Sequence, residues 1–450
     1  MTDSPSSSLP WYQRIGPGLI TACVVIGPGS IMTSSIVGAN EGYSKLWIVL
    51  VSVAFMLVYM TLGAKLGAVA NTSPGNLIRQ KAGSWLAILV GCSVFFISAA
   101  FQSGNNIGVA AAFEAFVESK TLVACLVVAF NLLAICFLFA FRNLYRVLER
   151  LMMAFVGLML ISFAINLVAL RPNLIELAQG FIPSLGTTHS DATPKDTLDS
   201  LIALLGLIGT TFVITAAFYQ AYLVRQKGWD QKEVRNGILD ARIGAVIMTL
   251  ITVMLMSTAA AGLYNGSVVK LANPVQVAEA LEPTFGTFGK VIFCLGLFSA
   301  AFSSFLINSM IGGFIVSDCL GMGSDPRDRA PRVMTTIALL TGMTIALAAL
   351  ILDFDRTPTI IAAQAVTVVG APLVAGVLFW LASSKDVMGS FAAKGFTKVF
   401  AGLGLILLLA MAGNTAINTL PAKIEQYLDR QPATVNEDAT TLPNGIPATD

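Results

Sequence analysis

The stretch "VVIGPGSIMTSS", residues 24–35, decides how this chain is read. Gly27, Pro28 and Gly29 are three poor helix residues in a row, and Ser30, Thr33, Ser34 and Ser35 follow within two turns. On both sides the sequence is that of an apolar helix. A helix that only had to cross a bilayer would not carry its breakers at mid-depth, where freed backbone groups find no water. Non-helical backbone at that depth survives where it lines a cavity or a binding place. The break therefore predicts a site, built without any charged side chain of its own.

The rest of the chain supplies the membrane. Of its 450 residues 56% are hydrophobic and 12% charged, with a mean hydropathy of +0.78. A soluble domain carries roughly twice that share of charge. Apolar runs long enough to cross a hydrocarbon core recur throughout, continuous rather than alternating, which predicts a polytopic α-helical protein and excludes a β-barrel. The net charge of +2 and the lack of a basic tract give no sign of nucleic acid as a partner. The six cysteines (Cys23, Cys92, Cys125, Cys136, Cys294, Cys319) lie in or beside apolar segments without paired spacing, and read as isolated buried thiols. The start "MTDSPSSSLPWYQR" lacks the basic n-region and cleavage site of a signal peptide.

Eleven spans are expected, at about 16–38, 46–70, 85–116, 121–141, 147–170, 200–225, 238–264, 286–318, 332–352, 358–382 and 399–418. An N-terminal segment (1–15) precedes a first five-helix repeat (16–170). An external loop (171–199) leads to a second repeat (200–382), then a connection with helix 11 (383–420) and a polar tail (421–450). Eighteen of the 27 Lys and Arg residues fall on one side if the N-terminus is cytoplasmic, against nine on the other. That bias puts the N-terminus inside, the C-terminus outside, and the protein in the plasma (inner) membrane. Span six, "SLIALLGLIGTTFVITAAFYQAYLVRQKGW", carries Gly206 and Gly209 and then the β-branched Thr210, Thr211, Val213, Ile214 and Thr215, a second weak point five spans after the first. Breaks at matching positions of two five-span halves predict an inverted 5+5 repeat with the site at the midplane.

At these residues the chain resembles the natural resistance-associated macrophage protein (NRAMP) family of divalent-metal transporters. The resemblance runs through "GPGLITACVVIGPGSIMTSSIVGANEGYSKLW", "LGAKLGAV", "LLGLIGTTFVITAAFYQAYLV", "LGLFSAAFSSFLINSMIGG", "AAQAVTVVGAPLVAG" and "SSKDVMG", most of residues 15–415. It implies a LeuT-type fold with interrupted helices 1 and 6. The family's metal ligands are not matched. Its DPGN motif is here Gly27-Pro28-Gly29-Ser30, so its metal-binding Asp falls on Gly27 and its Asn on Ser30. In span six its Met falls on Val213, the next Pro on Ile214, its His on Thr215 and a second His on Gln220. The only histidine of the chain, His189, lies in the external loop.

Without a carboxylate, a divalent cation at midplane has no charge partner. The half-helices that begin after the two breaks offer unpaired N–H groups and positive dipole ends, an arrangement that favours an anion. Gly27 and Gly29 permit close backbone approach, and Ser30, Thr210, Thr211 and Thr215 add hydroxyls. The expectation is thus a secondary transporter of a small inorganic anion, with bicarbonate selected through a branch of NRAMP-related proteins that lack the metal site. No cofactor is expected. Na⁺ is the expected coupling ion, held by carbonyls at Ile26 and Gly27 and by Ser303 and Ser304 of span eight. Gln102, Gln220 and Gln364 are weaker candidates for the pathway, and the patch around Gln102, Ser103, Asn105 and Asn106 also suits interhelical hydrogen bonding. Two alternatives stand: a divalent-cation (Mg²⁺ or Mn²⁺) carrier that keeps the ion partly hydrated, and a non-transporting sensor on the same scaffold. No nucleophile–base pair supports an enzyme.

Overall fold

The computed structural model describes residues 16–419 except 142, 185–193, 270, 272–273 and 353–355. The N-terminal segment, His189 and the C-terminal tail lie outside the described residues, as does the side chain of Gln364. Among the described residues all regular structure is helical. Among these described residues nine helices are long and apolar enough to cross a membrane, or up to eleven if two bent pairs are each one span.

Span one is the first bent pair, Pro17–Val25 and Pro28–Glu41, turned by 58° between them. Both halves begin on a Gly-Pro-Gly. Proline at the first helical position gives up only an N–H that has no helical partner there, and its fixed φ suits a start. The second such start, inside what would otherwise be one helix, forces the break. The Ile26 N–H still reaches the Ala22 carbonyl (3.1 Å), and the next helix opens with Ile31 N–H on Gly27 O (3.0 Å).

Spans two to five are Leu46–Val69, Ser84–Glu114, Lys120–Ala140 and Leu144–Ala169, with a short helix Pro74–Ala82 between spans two and three. Span six consists of Pro194–Thr211 and Ile214–Lys227. Spans seven to nine are Val234–Leu263, Pro274–Cys319 and Arg329–Ile351. Span ten, Arg356–Ser383, joins the segment Lys385–Phe391 through the second sharp bend, of 61°. Span eleven is Gly395–Asn414, ending in the wider turns Thr415–Thr419. Span eight begins upstream of the expected 286, and the expected loop 171–199 holds the helix Leu174–Gln179 and the first turn of span six.

The repeat is legible in which helices touch. The second half of span one packs on span seven as the second half of span six packs on span two. The first half of span one packs on span five as the first half of span six packs on span ten. Span five lies along span eight as span ten lies along span three, and spans three and eight lie along each other. Each pairing maps onto its partner when the two halves are exchanged, so the inverted 5+5 arrangement holds although the halves share no obvious residue pattern.

Close backbone contacts carry these pairings. Gly63 and Gly67 of span two lie against the carbonyls of Ala217 and Ala221, where a methyl group has no room. Gly38 meets the Met256 carbonyl in the symmetric contact. Small residues spaced by four let helices approach where lipid offers no hydrophobic drive, so van der Waals contact and backbone proximity hold them together.

Candidate functional site

The break of span one is buried. Ile26, Gly27, Pro28 and Gly29 are enclosed, and Ser30 is only 2% exposed. Gly27 has extended backbone (φ −111°, ψ −179°) and caps the second half-helix. A Cβ at Gly27 would lie 2.9 Å from Ser304 Oγ and 3.3 Å from Asn105 Oδ1. The glycine is therefore faced by a hydroxyl of span eight and an amide of span three. Ser304 Oγ donates to the Val24 carbonyl (3.2 Å), so the last turn of the first half-helix joins the same cluster. Asn105 Nδ2 donates to Gln102 Oε1 (3.4 Å), which directs the Asn105 carbonyl oxygen toward Gly27.

Span six is interrupted only at Phe212 and Val213 and still passes as one apolar span, Ala203–Lys227. This is milder than the expected match to span one, and the reason is local. Ile214 stands where a proline would remove a donor. Phe212 N–H reaches Ile208 O (2.8 Å), while the N–H groups of Ala216 and Ala217 take up Val213 O (3.1 and 3.2 Å).

The predicted residues divide. Ile26, Gly27 and Ser304 lie together, and Ser303 back-bonds to Ala300 O (3.2 Å) on its own helix. Its side chain also meets Cys23 of the first half of span one, so both serines of span eight face that half-helix. Thr210 is drawn elsewhere: its hydroxyl meets Thr33 Oγ1 at 3.1 Å and ties span six to the second half of span one. Ser30, Thr211 and Thr215 keep buried hydroxyls that have no hydrogen-bond partner in the protein. Gln220 stands apart from the break, its amide 2.5 Å from the Thr21 hydroxyl and 3.4 Å from the Asp240 carboxylate.

Two buried acids escaped the sequence reading. Asp240 of span seven accepts from Gly16 N (2.7 Å) and Gly18 N (2.5 Å), which fastens the start of span one. Asp318 of span eight accepts from Gly75 N (2.7 Å), Ser73 Oγ (2.6 Å) and Tyr222 Oη (2.7 Å), fastening the start of Pro74–Ala82 in the same way. Both serve a Pro-Gly helix start, where free N–H groups and a positive dipole end welcome a carboxylate. The signal was available: an acid inside an apolar run is costly unless it has such a role. Among the described residues, no group of three His, Cys, Asp or Glu side chains stands together so as to hold a metal ion.

Fold and site together define a polytopic helical membrane protein with two interrupted helices and a buried, oxygen-lined break. The model of the family described as "Natural resistance-associated macrophage protein-like" matches residues 18–418, and the chain belongs to that family. A relative from Deinococcus radiodurans, "Divalent metal cation transporter MntH", is 22% identical over 408 residues, covering 89% of this chain and 88% of that protein. "Metal transporter Nramp3.2" of Populus trichocarpa is 23% identical, covering 88% of this chain and 79% of that protein. The manganese transporter of Eremococcus coleocola has the same fold, with a TM-score of 0.79 at 19% identity over 96% of this chain and 91% of that one. MhsT, solved with L-phenylalanine, aligns at a TM-score of 0.58 with 14% identity, covering 90% of this chain and 99% of that one. The fold is therefore LeuT-type.

These findings overturn the expectation of a small inorganic anion, bicarbonate, accompanied by Na⁺. The relatives are named as divalent metal cation transporters. The expectation gave the positive poles of the half-helices to the cargo and left the carbonyl end of Pro17–Val25 and span eight to Na⁺. The geometry adds the Asn105 carbonyl to the Ser304 hydroxyl at Gly27, and Pro28 contributes no N–H.

Proposed function

We propose that this protein is a secondary transporter of a divalent cation, carried at the break of span one and held by neutral oxygens while it keeps part of its water shell. Membership in a family whose relatives are named for divalent metal cations carries this reading. The oxygen cluster around Gly27 supports it. A fully dehydrated divalent ion would need a carboxylate to compensate its charge. An ion that retains waters asks of the protein only well-placed acceptors, as Mg²⁺ does in many sites. With Val213 in place of the family's soft Met ligand, the donor set suits hard ions such as Mg²⁺ and Mn²⁺ better than soft ones such as Cd²⁺. The Lys and Arg bias supports an N-terminus on the cytoplasmic side, so the half Pro17–Val25 faces the cell interior.

The test is uptake of Mn²⁺ and Mg²⁺ into proteoliposomes of the purified chain, with Cd²⁺ as competitor. Saturable uptake that Cd²⁺ competes no better than Mn²⁺ is the expected result. Absence of saturable flux for both ions would overturn the proposal.

A further inference from the structure

We infer that Asn105 of span three is a direct oxygen ligand of the transported cation, acting with Ser304 where their oxygens converge on Gly27. This rests on the transport reading above and assigns the site a ligand that lies outside the two interrupted helices.

Three observations carry it. First, the space a side chain at Gly27 would fill is bounded by two oxygens, Ser304 Oγ at 2.9 Å and Asn105 Oδ1 at 3.3 Å from the Cβ position. Two polar oxygens from two other helices thus close in on the glycine backbone, leaving no room for a side chain there. Second, Asn105 is held in place for this task. It is 2% exposed, and its amide nitrogen is used on Gln102, which leaves the carbonyl end toward Gly27. Gln102 is fully buried and its own Nε2 has no hydrogen-bond partner in the protein. A buried donor left unsatisfied costs free energy and cannot ligate a cation, so the Asn105 carbonyl is the ligand this pair offers. Third, the neighbouring amide is spent differently. Asn106 donates to Gln102 O (2.8 Å) and accepts from Asn131 (2.7 Å), tying span three to span four. Structural glue and site are thus divided between adjacent residues of one sequence patch.

The chemistry follows. An amide carbonyl is a good neutral ligand for a hard divalent ion and a poor one for a soft ion. Asn105, the Ser304 hydroxyl and a carbonyl of the Val24–Gly27 turn give three oxygens from spans three, eight and one. The remaining positions fall to waters, for which the unpartnered hydroxyls of Ser30, Thr211 and Thr215 are candidate outer partners. Loading would then draw span three toward span one, coupling occupancy to the packing of the two repeats.

The experiment compares wild type, Asn105→Leu and Asn105→Asp in the Mn²⁺ uptake assay. The wild type reports on the transport reading alone. Asn105→Leu removes the oxygen while keeping the same branching and number of side-chain heavy atoms, and is expected to raise the KM for Mn²⁺ about tenfold. Asn105→Asp keeps the shape and adds a charge, and is expected to lower KM about tenfold while leaving the purified protein folded. A packing role cannot produce that gain, so it is the decisive arm. Saturable wild-type uptake with both variants within twofold of its KM would overturn the inference and leave the transport reading standing. If wild type carries neither Mn²⁺ nor Mg²⁺, both fall together.

Discussion

At the scale of single residues, Gly27 sets what this site is. Its missing side chain removes the carboxylate that resemblance to the family leads one to expect, and the same absence makes room for oxygens from spans three and eight. Restoring the acid tests that account. Gly27→Asp brings a charge to the cluster, but its Cβ sits 2.9 Å from Ser304 Oγ, so the serine must turn away from Val24 O. The single variant is expected to bind Mn²⁺ a few times more tightly than wild type. Gly27→Asp with Ser304→Ala, which relieves the contact, should bind about tenfold more tightly, as read by isothermal titration. Equal or weaker binding in both would show that the cargo does not sit over Gly27. Asp240 and Asp318 are the residue-level features that pattern reading passed over. Their partners, Gly18 and Gly75, lie more than 200 positions away in the chain, and only packing brings them together.

At the scale of elements, the two interruptions differ in kind. Span one breaks because a second Gly-Pro-Gly starts a new helix within it, and the axis turns by 58°. Span six lacks that proline and loses only two residues from its helix. A matched pair of breaks was the right expectation, but sequence alone gave no measure of how sharp each would be. Helix contacts at this scale rest on backbone approach. Gly67→Leu would drive a side chain into the Ala221 carbonyl between span two and the second half of span six. Overpacking of this kind costs roughly 1–3 kcal/mol when the backbone can shift, and more when it cannot. The expected outcome is a lower thermal midpoint in detergent by several degrees together with reduced uptake. An unchanged midpoint would mean that this contact is looser than described.

At the scale of the whole molecule, the break is closed from both ends. The Thr33–Thr210 contact joins the second half of span one to the first half of span six on one side. On the other, Asp240 fastens Gly16 and Gly18, next to the Lys227–Glu149 ion pair (2.6 Å). Transport requires these ends to open in turn, because both halves of span one are almost wholly buried as they stand. A Thr33→Cys, Thr210→Cys double variant should therefore lose most Mn²⁺ uptake on oxidation and regain it on reduction. Undiminished uptake after confirmed cross-linking would mean that these two spans do not separate during the cycle. The sequence by itself determined the membrane class, the many apolar spans and their approximate places, the break at Gly27–Gly29 and the family. All of these follow from local composition and from short motifs, which act through neighbouring residues. Only the tertiary structure decided which oxygens meet at Gly27, that Asn105 joins Ser304 there, and that two distant acids hold helix starts. Ligand sets are made across helices far apart in the chain, and one-dimensional patterning carries no record of which side chains converge.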